Sequence, residues 1–239
     1  MNVEQILAGA KDGFLLEPES KGILAQSGIS TTACRVANTA DEAVKLAEEI
    51  GYPVVLKALS PQIVHKSDVG GVHLDLNDAS AVRQAYQRIK GATRVIDPEA
   101  RATVQPMAAK GVEVIAGLTT NPQFGKVLMF GLGGIFTELL KDVSFRLVPI
   151  EELDAREMIG SIEGNGVLEG FRGGPAADVD AIVDILLKVS TLAESYPAIA
   201  ELDLNPIIVY PRGAVVVDAR IGVSRGRVET RSAPVRLPK

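Results

Sequence analysis

One segment of the chain, residues 53–75, constrains the fold more than any other. It contains two apolar runs of strand length, and the polar loop between them ends in Gly70 and Gly71, so the pattern predicts strand, loop, strand. Lys57 lies inside the first run, where a lysine is costly unless its ammonium group reaches water or an anion. The segment is therefore either a β-hairpin whose lysine reaches solvent at an edge or a site for phosphate oxygens.

The loop of this segment carries further groups that suit a phosphate. Gly70 and Gly71 allow the backbone to approach an anion closely, and successive free N–H groups bind one. His65 is a titratable base, and Lys66 is a second cation. Together with Lys57, these residues indicate a place where phosphate is held and transferred.

Composition narrows the class of ligand. The chain has 239 residues, 46% of them hydrophobic, which is enough for one large domain or two smaller lobes. Its formal net charge of -5 and its 4% aromatic content argue against a broad nucleic-acid surface. No apolar run approaches the roughly 20 residues that span a bilayer, and no signal-peptide pattern is present, so we expect a cytoplasmic protein. The single cysteine, Cys34, is interpreted as a core or turn residue.

Helical and strand patterns alternate along the chain. Thr39 and Glu42 form a capping-box pattern that opens a helix, and Gly51 ends it just before the Lys57 strand. The strongest helical stripe covers residues 178–195. Apolar or alternating runs predict strands at residues 103–107, 112–118, 126–130, 145–150, 199–210 and 214–221. This interleaving indicates an α/β or α+β fold rather than a helix bundle or a β-sandwich.

A division into two lobes is predicted at a hinge covering residues 108–111, between two strands. The first lobe then covers residues 1–107, including the leading helices, and the second covers residues 108–223. Residues 224–239 form a basic tail with several prolines, which we expect to be poorly ordered.

A row of hard oxygen ligands lies near the end of the chain. Alternation along a strand puts Glu201, Asp203 and Asn205 on one face, and Asp218 ends an apolar run on the next strand. Carboxylate and amide oxygens are the ligands that Mg²⁺ takes, usually together with phosphate oxygens. A solvated polar face explains Glu201 alone, but Asp218 follows three valines and is too deep for that explanation. The pattern therefore predicts a magnesium site if the two strands pair.

These motifs, taken together, resemble those of the ATP-grasp subunit of NDP-forming acyl-CoA synthetases, in particular the β subunit of ADP-forming acetate–CoA ligases. The resemblance covers roughly residues 16–223, and the motifs occur in the same order. They are the Lys57 strand, the loop from His65 to Gly71, the hinge Gln105-Pro106-Met107, the turn Phe130-Gly131-Leu132-Gly133-Gly134 and the ending Asp203-Leu204-Asn205-Pro206.

The resemblance implies an ATP-grasp fold of two α+β lobes with ATP or ADP between them. Lys57 would contact the nucleotide phosphates, with Lys66, Gly70 and Gly71 in the loop beside it. The backbone of Gln105, Pro106 and Met107 would meet the adenine, and Glu113 would face the ribose. Asn205 and Asp218 would hold Mg²⁺, with Asp203 nearby.

The resemblance also implies catalytic roles for two residues. His65 resembles a loop histidine that carries phosphate between the nucleotide site and a partner subunit, and neutral imidazole is nucleophilic near pH 7. Arg146 is a candidate to contact the transferred phosphoryl group. Lys57, Arg146 and Mg²⁺ would supply the charge neutralisation that phosphoryl transfer needs.

The function implied is acyl-CoA synthesis from an acid, CoA and ATP, with release of ADP and phosphate. The chain has no dinucleotide-type glycine fingerprint that would hold CoA. The resemblance implies that CoA and a phosphohistidine are on a separate α subunit or fused half, so we expect the chain to be inactive alone. Two alternatives remain open: another ATP-grasp carboxylate ligase, which needs no carrier histidine, and a non-catalytic nucleotide-sensing subunit.

Overall fold

The computed structural model of the chain describes residues 2–10, 12–63, 65–134, 142–170 and 175–224. Within those ranges the α-helices are α1 (Val3–Gly9), α2 (Glu17–Gln26), α3 (Ala40–Ile50), α4 (Ala79–Thr93), α5 (Glu152–Ser161) and α6 (Val179–Ser195). The strands are β1 (Gly13–Phe14), β2 (Arg35–Ala37), β3 (Val54–Leu59), β4 (Val72–Leu76), β5 (Arg101–Pro106), β6 (Val112–Asn121), β7 (Gly125–Leu132), β8 (Val143–Leu147), β9 (Ile199–Val209), β10 (Ala214–Val216) and β11 (Ala219–Val223).

A four-stranded antiparallel sheet in the order β2-β5-β3-β4 forms the first layer of structure. All six residues of β3 are buried, because β4 and β5 flank the strand and α3 and α4 pack on the sheet. Val54, Leu56 and Ala58 point into the apolar core under these helices. Alternation then puts Lys57 on the opposite face, level with Val72 of β4 and Thr103 of β5.

The second sheet has seven strands, in the order β1-β11-β9-β6-β7-β8, with β10 paired to β9. Its core is the larger of the two and includes Phe130, Met158 and Leu186, which are fully buried. The predicted strand at 214–221 is in fact two short strands, since the ladder is interrupted at Val217 and Asp218. The carboxylate of Asp218 is therefore at a break between strands rather than at the end of one.

The leading helices α1 and α2 belong to the core of the second sheet. Val3, Leu7, Ile23 and Leu24 are buried there, and β1 pairs with β11. The change from the first sheet to the second comes between β5 and β6, which is where the hinge at 108–111 is predicted. The lobe boundaries drawn from the sequence stay predictions, and the packing of α1 and α2 associates residues 3–26 with the second sheet.

Local sequence signals match the helices closely. Thr39 caps α3 by accepting a hydrogen bond from the Glu42 amide at 3.1 Å, and Gly51 ends it. The Glu42 carboxylate accepts from the Asn38 amide at 2.7 Å rather than from Thr39, so the capping box is shifted by one residue on that side. Asp178, where the predicted helix begins, caps α6 by accepting a hydrogen bond from the Ala181 amide at 3.0 Å. The predicted tail lies outside the described residues except for Ser224. No helix in the described ranges is long and apolar enough to cross a membrane.

Candidate functional site

A cavity of about 520 Å³ is lined by residues of both sheets. The first sheet contributes Lys57 of β3 and the end of β5, while β6, β9 and β11 of the second sheet face them. The loop after β3 contributes His65 and Lys66. The predicted site residues that line this cavity are His65, Lys57, Lys66, Gln105, Pro106, Met107, Glu113, Asp203, Asn205 and Asp218. Those that do not are Gly70, Gly71 and Arg146.

One buried carboxylate, that of Glu17, does not line this cavity but contacts its lysines from the buried side, the deep end of the site. Its Oε1 lies 3.0 Å from Lys57 Nζ and 3.1 Å from Lys21 Nζ, and its Oε2 lies 3.3 Å from Lys66 Nζ. Gln105 Nε2 donates to Oε1 at 2.8 Å. The Glu17 side chain is 1% exposed, so these contacts lie away from water. Glu17 is held there because it is in the first turn of α2, which packs in the core of the second sheet.

The charges around Glu17 decide its protonation. Burial on its own would raise the pKa of Glu17, but the charges of Lys57, Lys66 and Lys21 outweigh burial and hold the pKa well below its ordinary value of 4.5. Burial lowers the pKa of Lys21, against the attraction of Glu17. The carboxylate is therefore ionised at neutral pH and acts as the shared counter-ion of three lysines.

Asp218 is the second anion of the cluster. Its Oδ2 lies 3.1 Å from Lys66 Nζ and 3.3 Å from Lys57 Nζ. Burial would lower the pKa of Lys66, but the charges of Glu17 and Asp218 raise it. Lys57 also donates to the carbonyl of Val217 at 3.0 Å, at the break between β10 and β11. Both cavity lysines thus lie between one buried and one partly exposed carboxylate.

The predicted magnesium ligands come together on the opposite wall. Alternating burial along β9 confirms that Asp203 and Asn205 share a face. The backbone N–H of Asn205 donates to the backbone carbonyl of Asp218 at 3.3 Å. No group of three or more His, Cys, Asp or Glu in the described ranges is arranged to hold a metal ion on its own. Two carboxylates and an amide oxygen suit Mg²⁺ that completes its shell with water and phosphate oxygens, so the donor set fits a nucleotide-bound metal.

The loop after β3 exposes His65 but uses its glycines internally. The Gly71 amide donates to the Lys66 carbonyl at 2.7 Å and the Gly70 amide to the Ser67 carbonyl at 3.0 Å, so neither N–H is free for an anion. Gly70 has φ 65°, and a Cβ on Gly71 would lie 2.8 Å from the Lys66 carbonyl oxygen. Both glycines are therefore needed for the tight turn that presents His65 and Lys66.

The end of β5 lines the cavity, and its Gln105 side chain has a role besides the predicted backbone contact. Gln105 is 1% exposed, and its side chain contacts Glu17, Lys21 and Thr103, so it supports the charge cluster. Pro106, Met107 and Glu113 also line the cavity. A Cβ on Gly133 would lie 2.8 Å from the Glu113 Cβ, so this glycine allows the turn after β7 to pass close to Glu113.

Arg146, the sequence candidate for the transferred phosphoryl group, lies elsewhere. It is on β8, the edge strand of the second sheet, and its guanidinium contacts Glu157 at 3.1 Å on the surface. It does not line the cavity that contains Lys57 and His65.

Comparison with known proteins identifies the family of the chain. A family model described as an ATP-grasp domain matches residues 7–223. The chain belongs to the ATP-grasp family. The cavity between the two sheets of this ATP-grasp chain carries the lysines and the hard oxygen ligands together.

Two curated relatives of this ATP-grasp chain are acetate–CoA ligases. It is 47% identical over 225 residues to the β subunit of ADP-forming acetate–CoA ligase II from Pyrococcus furiosus, covering 92% of this chain and 95% of that subunit. It is 50% identical over 210 residues to ADP-forming acetate–CoA ligase II of Archaeoglobus fulgidus, covering 88% of this chain but 30% of that longer protein.

A solved structure is also similar, that of acetyl-coenzyme A synthetase 1 from Ca. Korarchaeum cryptofilum. The TM-score is 0.81 at 44% identity, and the match covers 93% of this chain and 100% of that chain. That protein was solved with coenzyme A and Mg-AMPPCP, and its phosphohistidine segment points towards the nucleotide binding site. The ATP-grasp fold predicted from the sequence is confirmed.

The sequence motifs single out neither Glu17 nor Arg220. Lys21 follows Glu17 at the spacing of an i,i+4 ion pair. Arg220 lines the cavity, and its signal was the alternation that puts it on the same face as Asp218. The spacing of Glu17 and Lys21 and the alternation of Asp218 and Arg220 indicate a binding site only once the order of the strands is known.

Proposed function

We propose that this chain is the nucleotide-binding subunit or domain of an ADP-forming acyl-CoA synthetase. The observation that carries the proposal is one cavity in which Lys57, Lys66 and His65 face Asp218 and Asn205. Cations for phosphates, oxygen ligands for a metal and a nucleophile are the parts that phosphoryl transfer requires. The β subunit of the Pyrococcus furiosus acetate–CoA ligase, which matches nearly end to end, supports the same reaction class.

In this proposal Mg·ATP or Mg·ADP binds with its phosphates at Lys57 and Lys66. Asn205 and Asp218 hold the metal, with Asp203 beside them, and the bound metal neutralises charge on the phosphates. The base lies against Pro106 and Met107, and Glu113 faces the ribose. Since Lys66 and Lys57 now contact Asp218, nucleotide binding exchanges these ion pairs for contacts with phosphate and metal.

His65 then accepts the phosphoryl group. The lone pair of the neutral imidazole nitrogen attacks the γ-phosphorus, a P–N bond forms, and the P–O bond to ADP breaks with its electron pair on ADP. The exposed loop allows the phosphorylated ring to meet a partner. We assign the partner the CoA site and the phosphohistidine that continues the reaction, as an α subunit or a fused half. Arg146 has no part in this scheme because it lies outside the cavity.

The test uses the chain purified with its partner and incubated with γ-labelled ATP. We expect label on this chain that is lost in acid and kept in alkali, as a phosphoramidate is, and no label on the His65→Ala variant. The same variant should lose acid-dependent CoA thioester synthesis while keeping its affinity for Mg·ATP.

Two results would contradict the proposal. Full thioester synthesis by His65→Ala would remove the carrier role and favour a carboxylate ligase that forms its acyl phosphate directly. Absence of both label and thioester synthesis in the wild-type complex, with Mg·ATP bound, would favour a nucleotide-sensing subunit.

A further inference from the structure

Arg220 is a cavity residue whose role neither the sequence motifs nor the comparisons assign. It lies on β11 directly opposite Asp203 of β9, two residues after Asp218. Its side chain is 24% exposed and lines the same cavity as Lys57, His65 and Lys66. A cation at this point adds to the positive charge that faces a polyphosphate.

The guanidinium is held in place from one side by an aromatic ring. Its central carbon lies 4.6 Å from the centre of the Phe14 ring, at the distance of a cation–π contact. Gly222 leaves room for that ring, because a Cβ there would lie 3.1 Å from a carbon of Phe14. Stacking fixes the plane of an arginine without using any of its N–H donors.

Those donors are poorly used within the protein. The nearest carboxylate oxygens are those of Asp203 at 3.6 Å and Glu201 at 3.8 Å, and both distances exceed the range of a hydrogen bond. The Nε atom is buried and has no hydrogen-bond partner among the residues that the structure describes. A buried, unpaired donor on a charged group is costly, so its retention calls for a ligand that completes it.

The other cavity cations differ in this respect. Lys57 and Lys66 each have oxygen partners at 3.0–3.3 Å. Among these three, Arg220 has a buried Nε with no hydrogen-bond partner in the described residues and a planar fork that matches phosphate oxygens. His65 and Asp203, the residue opposite Arg220, line the same cavity as the arginine.

We propose that Arg220 is a catalytic residue that binds the oxygens of the phosphoryl group transferred between the nucleotide and His65. This inference rests on the proposed function. The guanidinium takes no proton and forms no covalent bond: while the P–O bond to ADP breaks and the P–N bond to His65 forms, its N–H groups donate to the phosphoryl oxygens. This is the role that the sequence predicted for Arg146.

The test compares Arg220→Met, Arg220→Lys and Arg146→Met in the complete enzyme. Arg83→Met serves as the matched control, because Arg83 of α4 lies in an exposed ion pair with Asp41 of α3, away from the cavity. Two quantities are measured for each: the affinity for Mg·ATP by calorimetry, and the rate at which γ-labelled ATP phosphorylates His65. Circular dichroism and the thermal midpoint report whether each variant folds.

Arg220→Met should lower the phosphorylation rate about tenfold to a hundredfold, the loss expected for a charge-assisted hydrogen bond. Its affinity for Mg·ATP should change about threefold or less, since the nucleotide phosphates keep Lys57 and Lys66. Arg220→Lys keeps the charge without the planar fork and should be intermediate. Arg146→Met and Arg83→Met should match the wild type in both quantities.

Each contrary outcome is distinct. A wild-type rate for Arg220→Met, with the wild type itself labelled, would overturn the role of Arg220 and leave the proposed function intact. Equal losses of affinity and rate would make Arg220 a nucleotide-binding residue and also overturn the inference. If Arg220→Met fails to fold, Arg220→Lys at the full wild-type rate overturns it. No label on the wild-type chain would instead be a failure of the proposed function.

Discussion

The two ends of the cavity hold their charges in different ways. At the deep end, Glu17 joins three lysines over 3.0–3.3 Å and is 1% exposed. At the other end, Asp203 and Glu201 lie 3.6 and 3.8 Å from Arg220 and are 38% and 46% exposed. The protein itself pairs the deep charges at ion-pair distance, although Glu17 Oε2 has no hydrogen-bond partner among the described residues. The outer groups lie beyond hydrogen-bond distance of one another.

This difference separates what the fold needs from what a ligand supplies. A buried charge must be paired, because an unpaired one costs several kcal/mol, of the order of the net stability of a whole domain. Glu17 meets that requirement for Lys21 and Lys57 before any nucleotide binds. Asp218 lies between the two ends, since it contacts the deep lysines but is 27% exposed and can turn to a metal.

The largest effect should come from removing the charge at the deep end. Glu17→Gln keeps the size of the side chain but leaves Lys21 and Lys57 without their shared counter-ion. We expect a loss of about 3–5 kcal/mol in the free energy of unfolding, measured by urea denaturation. Glu157→Gln, which removes the exposed partner of Arg146, should change it by about 0.5 kcal/mol or less. Similar losses in the two variants would mean that the deep cluster is no more structural than a surface pair.

The charge of Glu17 should also make the stability of the wild type depend on pH in acid. Because the folded-state pKa of Glu17 lies below its ordinary value of 4.5, its stabilising contribution is complete above pH 4.5 and is lost as the pH falls through the folded-state pKa. Stability curves from pH 6 to pH 2.5 should therefore fall less steeply for Glu17→Gln than for the wild type. Parallel curves would show that the pKa of Glu17 is not depressed by folding.

Lys57 connects the two ends, so its removal should weaken nucleotide binding. Lys57→Met keeps the bulk of the side chain and removes the charge that faces the phosphates. The affinity for Mg·ATP, measured by calorimetry, should fall about tenfold to a hundredfold, as expected for lost hydrogen bonds to a charged group. Lys45→Met, on the exposed side of α3, is the control and should bind as the wild type does. Unchanged affinity in Lys57→Met would place the phosphates elsewhere.

The smallest predicted change concerns the metal. Asp218→Asn keeps a side-chain oxygen that can accept the hydrogen bond from the Ala219 amide, which is 2.9 Å long in the wild type. It leaves Asp203 as the one carboxylate of the predicted metal ligands. The Mg²⁺ concentration needed for half-maximal ATP binding should rise about fivefold to tenfold, since a neutral ligand replaces a charged one. Asp184→Asn, in an exposed pair with Lys188, should leave it unchanged. If a chelator leaves the nucleotide affinity of the wild type unchanged, the predicted metal site is wrong.

The sequence predicts local structure well where a signal is short-range. The Thr39 cap, the helix ending at Gly51 and the shared face of Asp203 and Asn205 all depend on residues within a few positions of each other. Each of these features is present in the structure. Periodicity and capping chemistry therefore predict structure over a few neighbouring residues.

Contacts between residues that are far apart in the sequence could not be predicted from such local signals. Arg146 and Arg220 both lie on strands of the second sheet, but only the strand order shows that β8 is at the edge and β11 is next to β9. Glu17 reaches Lys57 across 40 residues of sequence and Gln105 across 88. The Gly70 and Gly71 amides have the right chemistry for an anion, but the turn itself uses them. Sequence pattern identifies the groups, and the fold decides which of them meet.

A crystal structure of the full chain with Mg-AMPPCP would test the central claim most directly. The account predicts phosphate oxygens at Lys57 and Lys66, the metal about 2.0–2.1 Å from oxygens of Asn205 and Asp218, and the Lys66–Asp218 contact opened. It also predicts that Glu17 keeps its contacts with Lys21 and Gln105. Nucleotide bound outside this cavity, or bound within it while Lys57 and Lys66 stay paired with Asp218, would contradict the account.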